Sequence, residues 1–133
     1  MNVMDNFNLS NVEKYFLNLS KKELIYRPAE KIPVIQVNNF SMLGKFAALR
    51  FIEWVQQNPD GVISLPTGKT PEYFIKEATR FLKEWDSNVV REELEHFGVD
   101  SSKKVKMSSL HFVQIDEFYP IDSNQHNSFY YYI

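Results

Sequence analysis

The chain has 133 residues, 44% of them apolar, with eleven Phe, seven Tyr and two Trp, enough to fill one sizeable core. Its net charge is −2 with no basic block, which argues against a nucleic-acid backbone as partner; with no cysteine, disulfides, thiolate zinc sites and cysteine nucleophiles are excluded together. No apolar run approaches membrane-spanning length and the segment Met1 to Ser10 has no apolar signal core, so the expectation is a soluble, cytoplasmic α/β protein.

Two capping-box patterns, Ser10-x-x-Glu13 and Ser20-x-x-Glu23, predict short helices near 11–18 and 21–26, ended by Arg27-Pro28. Ile32 to Val37 reads as a strand, with Pro33 placing it at an edge or a strand end. Asn38, Asn39 and Ser41 are N-cap candidates for a helix over 42–57, whose apolar face is Leu43, Ala47, Phe51 and Trp54. Asn58-Pro59-Asp60-Gly61 then turns the chain.

Residues 61–65 (Gly-Val-Ile-Ser-Leu) are short, apolar and bounded by turns, as a buried strand would be. Phe74, Ala78, Phe81, Leu82 and Trp85 predict an amphipathic helix over 71–85, with Thr70 as N-cap and Pro71 at the first helical position. Val90, Leu94 and Phe97 predict another helix, ended by Gly98 in the C′ role. Residues 100–107 are polar and lysine-rich, a loop; 110–115 form the third strand; 120–127 form a loop, and Ser128 caps a last helix. The expected order is helical arm, β, α, β, α, α, β, α, with neither internal repeat nor low-complexity tract. Strands alternating with helices imply a mostly parallel sheet, and such sheets bind ligands beyond the carboxyl ends of their strands.

Two segments lie at such ends. The first, Leu65-Pro66-Thr67-Gly68-Lys69-Thr70-Pro71, joins a strand to a helix N-terminus, where free amides and the helix dipole favour a phosphate. Gly68 permits close backbone approach, and the hydroxyls of Thr67 and Thr70 can each donate. A nucleotide P-loop is disfavoured, because Ile63 stands where that motif requires glycine and Pro71 removes an amide. The bland alternative is a simple strand-to-helix turn. The second segment, Gln114-Ile115-Asp116-Glu117-Phe118, presents two adjacent carboxylates that diverge if strand geometry continues. One can move a proton at a ligand carbon while the other makes structural hydrogen bonds; the alternative is that Asp116 only braces its loop. His96 falls on a charged, solvated helix face and His111 within a strand, whereas His126 follows Asp116 on the ligand side. The spacing of the three makes no metal site. For Phe129-Tyr130-Tyr131-Tyr132, packing against the sheet is favoured over base stacking, because no basic groove accompanies it.

In combination these segments resemble the glucosamine-6-phosphate deaminase/isomerase family, whose relatives include the 6-phosphogluconolactonases. The resemblance rests on Leu65 to Pro71, on Asp116-Glu117-Phe118 and on His126 with Ser128-Phe129, and it spans roughly residues 32–133. It implies a mostly parallel, Rossmann-like sheet flanked by helices, the N-terminal part of a larger three-layer domain. Residues 1–30 would be a helical arm and 31–133 an incomplete sugar-phosphate isomerase-like domain. It also implies that Thr67, Gly68, Lys69 and Thr70 hold the substrate phosphate. Asp116 would shuttle a proton between the first two sugar carbons, with Glu117 and His126 as possible substrate-site residues. The implied reaction converts glucosamine 6-phosphate and water to fructose 6-phosphate and ammonia, needs no metal or organic cofactor, and is compatible with a homo-oligomer. The family's later Asp-Gly-His and Asn-Glu-Pro segments do not occur before Ile133. The expectation is therefore an N-terminal part of a longer protein, or a remnant, unable to complete the reaction alone. A lactonase usually carries a Gly-rich cradle and Arg after the Asp-Glu pair, so Phe118 and Pro66-Thr67 favour the deaminase. The other rival is a non-catalytic sugar-phosphate-binding protein.

Overall fold

Helix α1 (Asn11–Leu19) starts where the sequence places it, because Ser10 and Glu13 satisfy each other's exposed amides. The Glu13 amide donates to Ser10 Oγ at 3.1 Å and the Ser10 amide to Glu13 Oε2 at 2.8 Å. The computed structural model describes residues 8–20, 34–66 and 70–132. The helix expected near 21–26 and residues 32–33 of the expected first strand lie outside them.

Residues 34–37 do not form the expected strand, since no ladder hydrogen bonds accompany them. Their side chains still alternate, Val34 exposed and Ile35 and Val37 packed against the core, so the period-2 pattern describes burial and not pairing. Helix α2 (Phe40–Gln57) begins earlier than expected, with Asn39 as its N-cap accepting from the Met42 amide at 2.8 Å. Strand β1 (Val62–Leu65) follows the Asn58–Gly61 turn.

Helix α3 (Glu72–Lys83) corrects the expected cap. The Ile75 amide donates to the Pro71 carbonyl at 2.9 Å, so Pro71 itself is the capping residue and no side chain caps this end. Thr70 therefore lies one residue too far out for the N-cap role. At the other end the helix stops short of Trp85, which is buried beyond it and donates its indole N–H to the Ser101 carbonyl at 3.0 Å. Helix α4 (Asn88–His96) ends at Gly98 as expected: φ is +88°, the Gly98 amide reaches Glu95 O at 3.0 Å and the Val99 amide reaches Leu94 O at 2.9 Å. These two bonds are the Schellman pattern, with Val99 and Leu94 both buried. Strand β2 (His111–Gln114) and helix α5 (Phe129–Tyr132) complete the chain.

β1 and β2 form a two-stranded parallel sheet, with α3 and α4 in the connection between them. The core gathers Val12 and Phe16 of α1, Leu49 and Ile52 of α2, Phe81 of α3 and Leu94 of α4. Glu53, only 5% exposed, ties α1 to α2 by accepting from the Asn11 amide at 3.0 Å and from Arg50 at 2.9 Å. Lys45, Arg80 and Glu93 join α2, α3 and α4 through ion pairs of 2.7 and 2.8 Å. Gly44 lets α2 approach α3, since a Cβ there would stand 2.4 Å from that of Tyr73.

The expected apolar stripe of α2 meets this core only in part, because Phe51 belongs to it and Trp54 packs against it, whereas Leu43 is exposed. Leu43, Ala47, Phe51 and Trp54 all line an open apolar groove of about 830 Å³ between α2, the end of β1 and the start of α3. The fully buried positions Ala48, Leu49, Ile52 and Val55 lie on the adjacent face. The helix is apolar on both sides, and tertiary packing selects which of them is closed. Among the described residues no helix is long and apolar enough to cross a membrane.

Candidate functional site

The parallel register pairs Leu65 with Gln114, so the chain leaves β1 and β2 at the same level of the sheet. Neighbouring strands lie about 4.8 Å apart. Pro66 and the Thr67–Lys69 segment therefore follow one strand end, and Ile115 and Asp116 follow its neighbour. Thr67, Gly68 and Lys69 lie outside the described residues. Thr70 is exposed and lines the apolar groove, together with Leu65, Pro66 and Pro71.

Beyond β2 the two carboxylates have different surroundings. Glu117 accepts on both oxygens: Oε1 takes the amides of Phe118 at 3.0 Å and Phe129 at 3.1 Å, and Oε2 takes Ser128 Oγ at 2.8 Å and the Tyr130 amide at 3.1 Å. Desolvation works against its charge, but the bonds from Tyr130, Phe129, Ser128 and Phe118 outweigh it and hold the carboxyl at a pKa of about 2. Glu117 is thus an ionised clamp on the first turn of α5, and its lone pairs are committed to the protein. Asp116 is exposed, and among the described residues no donor reaches its carboxylate. Its backbone carbonyl accepts from the Gln114 side chain at 2.7 Å.

Asp116 opens onto a shallow depression of about 510 Å³ whose other walls are Gln114, Ile115, Glu117, Ile121, Ser123 and Tyr130. This lining supplies a free carboxylate, an amide, a hydroxyl and a phenol, but no cation. The arrangement can accept a proton and orient hydroxyl groups; charge neutralisation of an anion must come from elsewhere. Thr70 and Asp116 line separate depressions, although they follow adjacent strand ends.

His126 stands apart from both. It is exposed and meets the Tyr131 ring edge-on at 4.8 Å, outside the lining of the Asp116 depression. His96, expected on a solvated face, is exposed but shares a 2.7 Å hydrogen bond with the Tyr15 hydroxyl. Of the aromatic run, Phe129 is half-buried against Phe118 at 4.9 Å, while Tyr130 and Tyr131 stay 69% and 52% exposed. Tyr130 borders the sheet, lining a depression with Leu65, Phe112, Val113 and Gln114, but neither tyrosine is buried by it as packing against the sheet would require.

Gln114 and Tyr130 line the site although the sequence reading gave neither a role there. A glutamine closing the run His111-Phe112-Val113 was a usable signal, since a polar residue at a strand's carboxyl end can reach the loop beyond. Ser128 was legible as a cap, and it does accept from the Tyr131 amide at 3.3 Å. Its donation to Glu117 was not, because eleven residues separate them. Comparisons with protein-family models, with curated proteins and with solved structures find no match to this chain.

Proposed function

We propose that this chain forms the proton-transfer part of a sugar-phosphate site of the glucosamine-6-phosphate deaminase type, within a larger Rossmann-like, three-layer α/β domain. The observation that carries the reading is the pairing of Leu65 with Gln114. It brings Pro66, from which the chain runs on toward Thr70, and Asp116, whose carboxylate meets no donor among the described residues, to neighbouring strand ends, where parallel sheets bind ligands. Two features favour a larger domain. Parallel sheets are ordinarily covered on both faces, yet Val62, Val113 and Ile115 are 63%, 52% and 64% exposed. The second apolar face of α2 also borders an open groove.

In the proposed chemistry, Asp116 removes the proton from carbon 2 of open-chain glucosamine 6-phosphate. The C–H electron pair becomes the C1–C2 double bond of an enolamine, and the former carbonyl oxygen takes a proton from solvent. Asp116 then returns its proton to carbon 1, leaving an iminium at carbon 2. Water adds there and ammonia departs, giving fructose 6-phosphate. A carboxylate suffices as base because the adjacent carbonyl acidifies the carbon.

The test follows solvent deuterium entering carbon 2 of glucosamine 6-phosphate by proton NMR, a step needing only the base. Wild type should exchange, and Asp116→Asn should slow exchange by about 10²-fold or more with binding retained. Wild-type exchange from Asp116→Asn would sink the assignment. The separate depressions of Thr70 and Asp116 favour one second reading, a sugar-phosphate binder without turnover. Binding without exchange in either protein would establish that reading instead.

A further inference from the structure

We propose that Glu117 is a positioning residue for Asp116: by binding the first turn of α5 it fixes the direction in which the Asp116 side chain leaves the end of β2. The catalytic consequence rests on the reading of Asp116 given above; the positional consequence does not.

Asp116 and Glu117 share a peptide unit, so holding that unit restrains the backbone from which both side chains leave. Gln114 holds it at one side, donating to the Asp116 carbonyl at 2.7 Å. Glu117 holds it at the other, with donors on both carboxylate oxygens from Ser128, Phe129 and Tyr130. Those donors lie eleven to thirteen residues further along the chain, so the clamp closes the whole loop and not only a local turn. The anchor is firm, because Ser128 is 0% exposed and its oxygen is shared between Glu117 and the Tyr131 amide. Three walls of the Asp116 depression, Gln114, Glu117 and Tyr130, belong to the clamp itself.

The chemistry of the clamp requires a carboxylate. Every partner of Glu117 is an N–H or O–H donor. A glutamine would present an NH₂ to some of them, leaving donor against donor. An error of about 1 Å in the placement of a base can cost about 10²-fold in rate. Loss of the clamp should therefore appear in turnover before it appears in affinity.

The experiment compares wild type, Glu117→Gln and Ser128→Ala as full chains in three measurements. These are deuterium entry at carbon 2 of glucosamine 6-phosphate, the dissociation constant of that ligand, and the ¹³C resonance of the Asp116 side-chain carboxyl. Glu117→Gln should slow exchange by about 10²-fold at unchanged affinity and displace the Asp116 resonance, with Ser128→Ala intermediate. Normal exchange and an unmoved Asp116 resonance in Glu117→Gln would overturn the proposal. Should wild type itself show no exchange, the base reading of Asp116 fails and the resonance alone decides: displacement upholds positioning, and coincidence with wild type refutes it. If Glu117→Gln does not fold, the same criteria apply to Ser128→Ala.

Discussion

Glu117 is where a single residue's environment does most to the molecule. A free glutamate titrates near 4.5, and this one is held at about 2. Between those values the unfolded chain binds a proton that the folded chain does not, so stability rises with pH through the window and is lost as pH falls toward 2. Exposed carboxylates such as Asp86 and Asp100, lowered chiefly by hydrogen bonds from Lys104 and Ser102, act in the same direction. The comparison with Glu117→Gln isolates the clamp. Wild type should lose more stability than the variant between pH 5 and pH 2.5, measured by urea denaturation, and parallel losses would show that the clamp carries none of it. At this scale the sequence was half legible. A pair of carboxylates after a strand announces two roles, but only the arrival of Ser128 and Tyr130 decides that Glu117 is spent and Asp116 is open.

Among the elements, helix ends were the most legible feature because caps are local chemistry. Ser10 with Glu13, Asn39, and Gly98 each act within a few residues of their own position. Gly98 gives the sharpest test, since its φ of +88° is strained for any side chain and a Cβ would meet that of Asn11 at 3.1 Å. Gly98→Ala should cost about 1–2 kcal/mol in chemical denaturation, and Gly98→Asn less, because asparagine tolerates that region better. Equal costs would assign the penalty to crowding against α1. Faces were less legible than ends. Leu43, Ala47, Phe51 and Trp54 make a valid helical stripe, yet of these only Phe51 is buried, and the fully buried positions Ala48, Leu49, Ile52 and Val55 lie one residue further round, about 100°. With apolar residues on both sides, periodicity alone cannot choose between them.

For the molecule as a whole, the core and the sheet differ in how completely they are covered. Phe81 and Trp85 are 0% and 1% exposed, whereas Phe112 on β2 is 46% exposed. Phe81→Ala should therefore cost about 3–5 kcal/mol of unfolding free energy. Phe112→Thr should change it by no more than about 0.5 kcal/mol. A large loss from Phe112→Thr would mean that this sheet face is buried in solution.

The sequence by itself determined the caps at Ser10, Asn39 and Gly98, the turn at Asn58–Gly61, the two strands that pair and the two strand-end segments, because each depends on neighbours a few residues away. Tertiary structure decided the rest. It set the β1–β2 register level, closed Ala48, Leu49, Ile52 and Val55 of α2 while leaving Leu43 exposed, and left residues 34–37 packed but unpaired. It also gave adjacent carboxylates different surroundings, Glu117 bonded to the start of α5 and Asp116 exposed. Those outcomes depend on groups eleven or more residues apart, whose meeting is set by packing and by the demand of every buried donor for a partner.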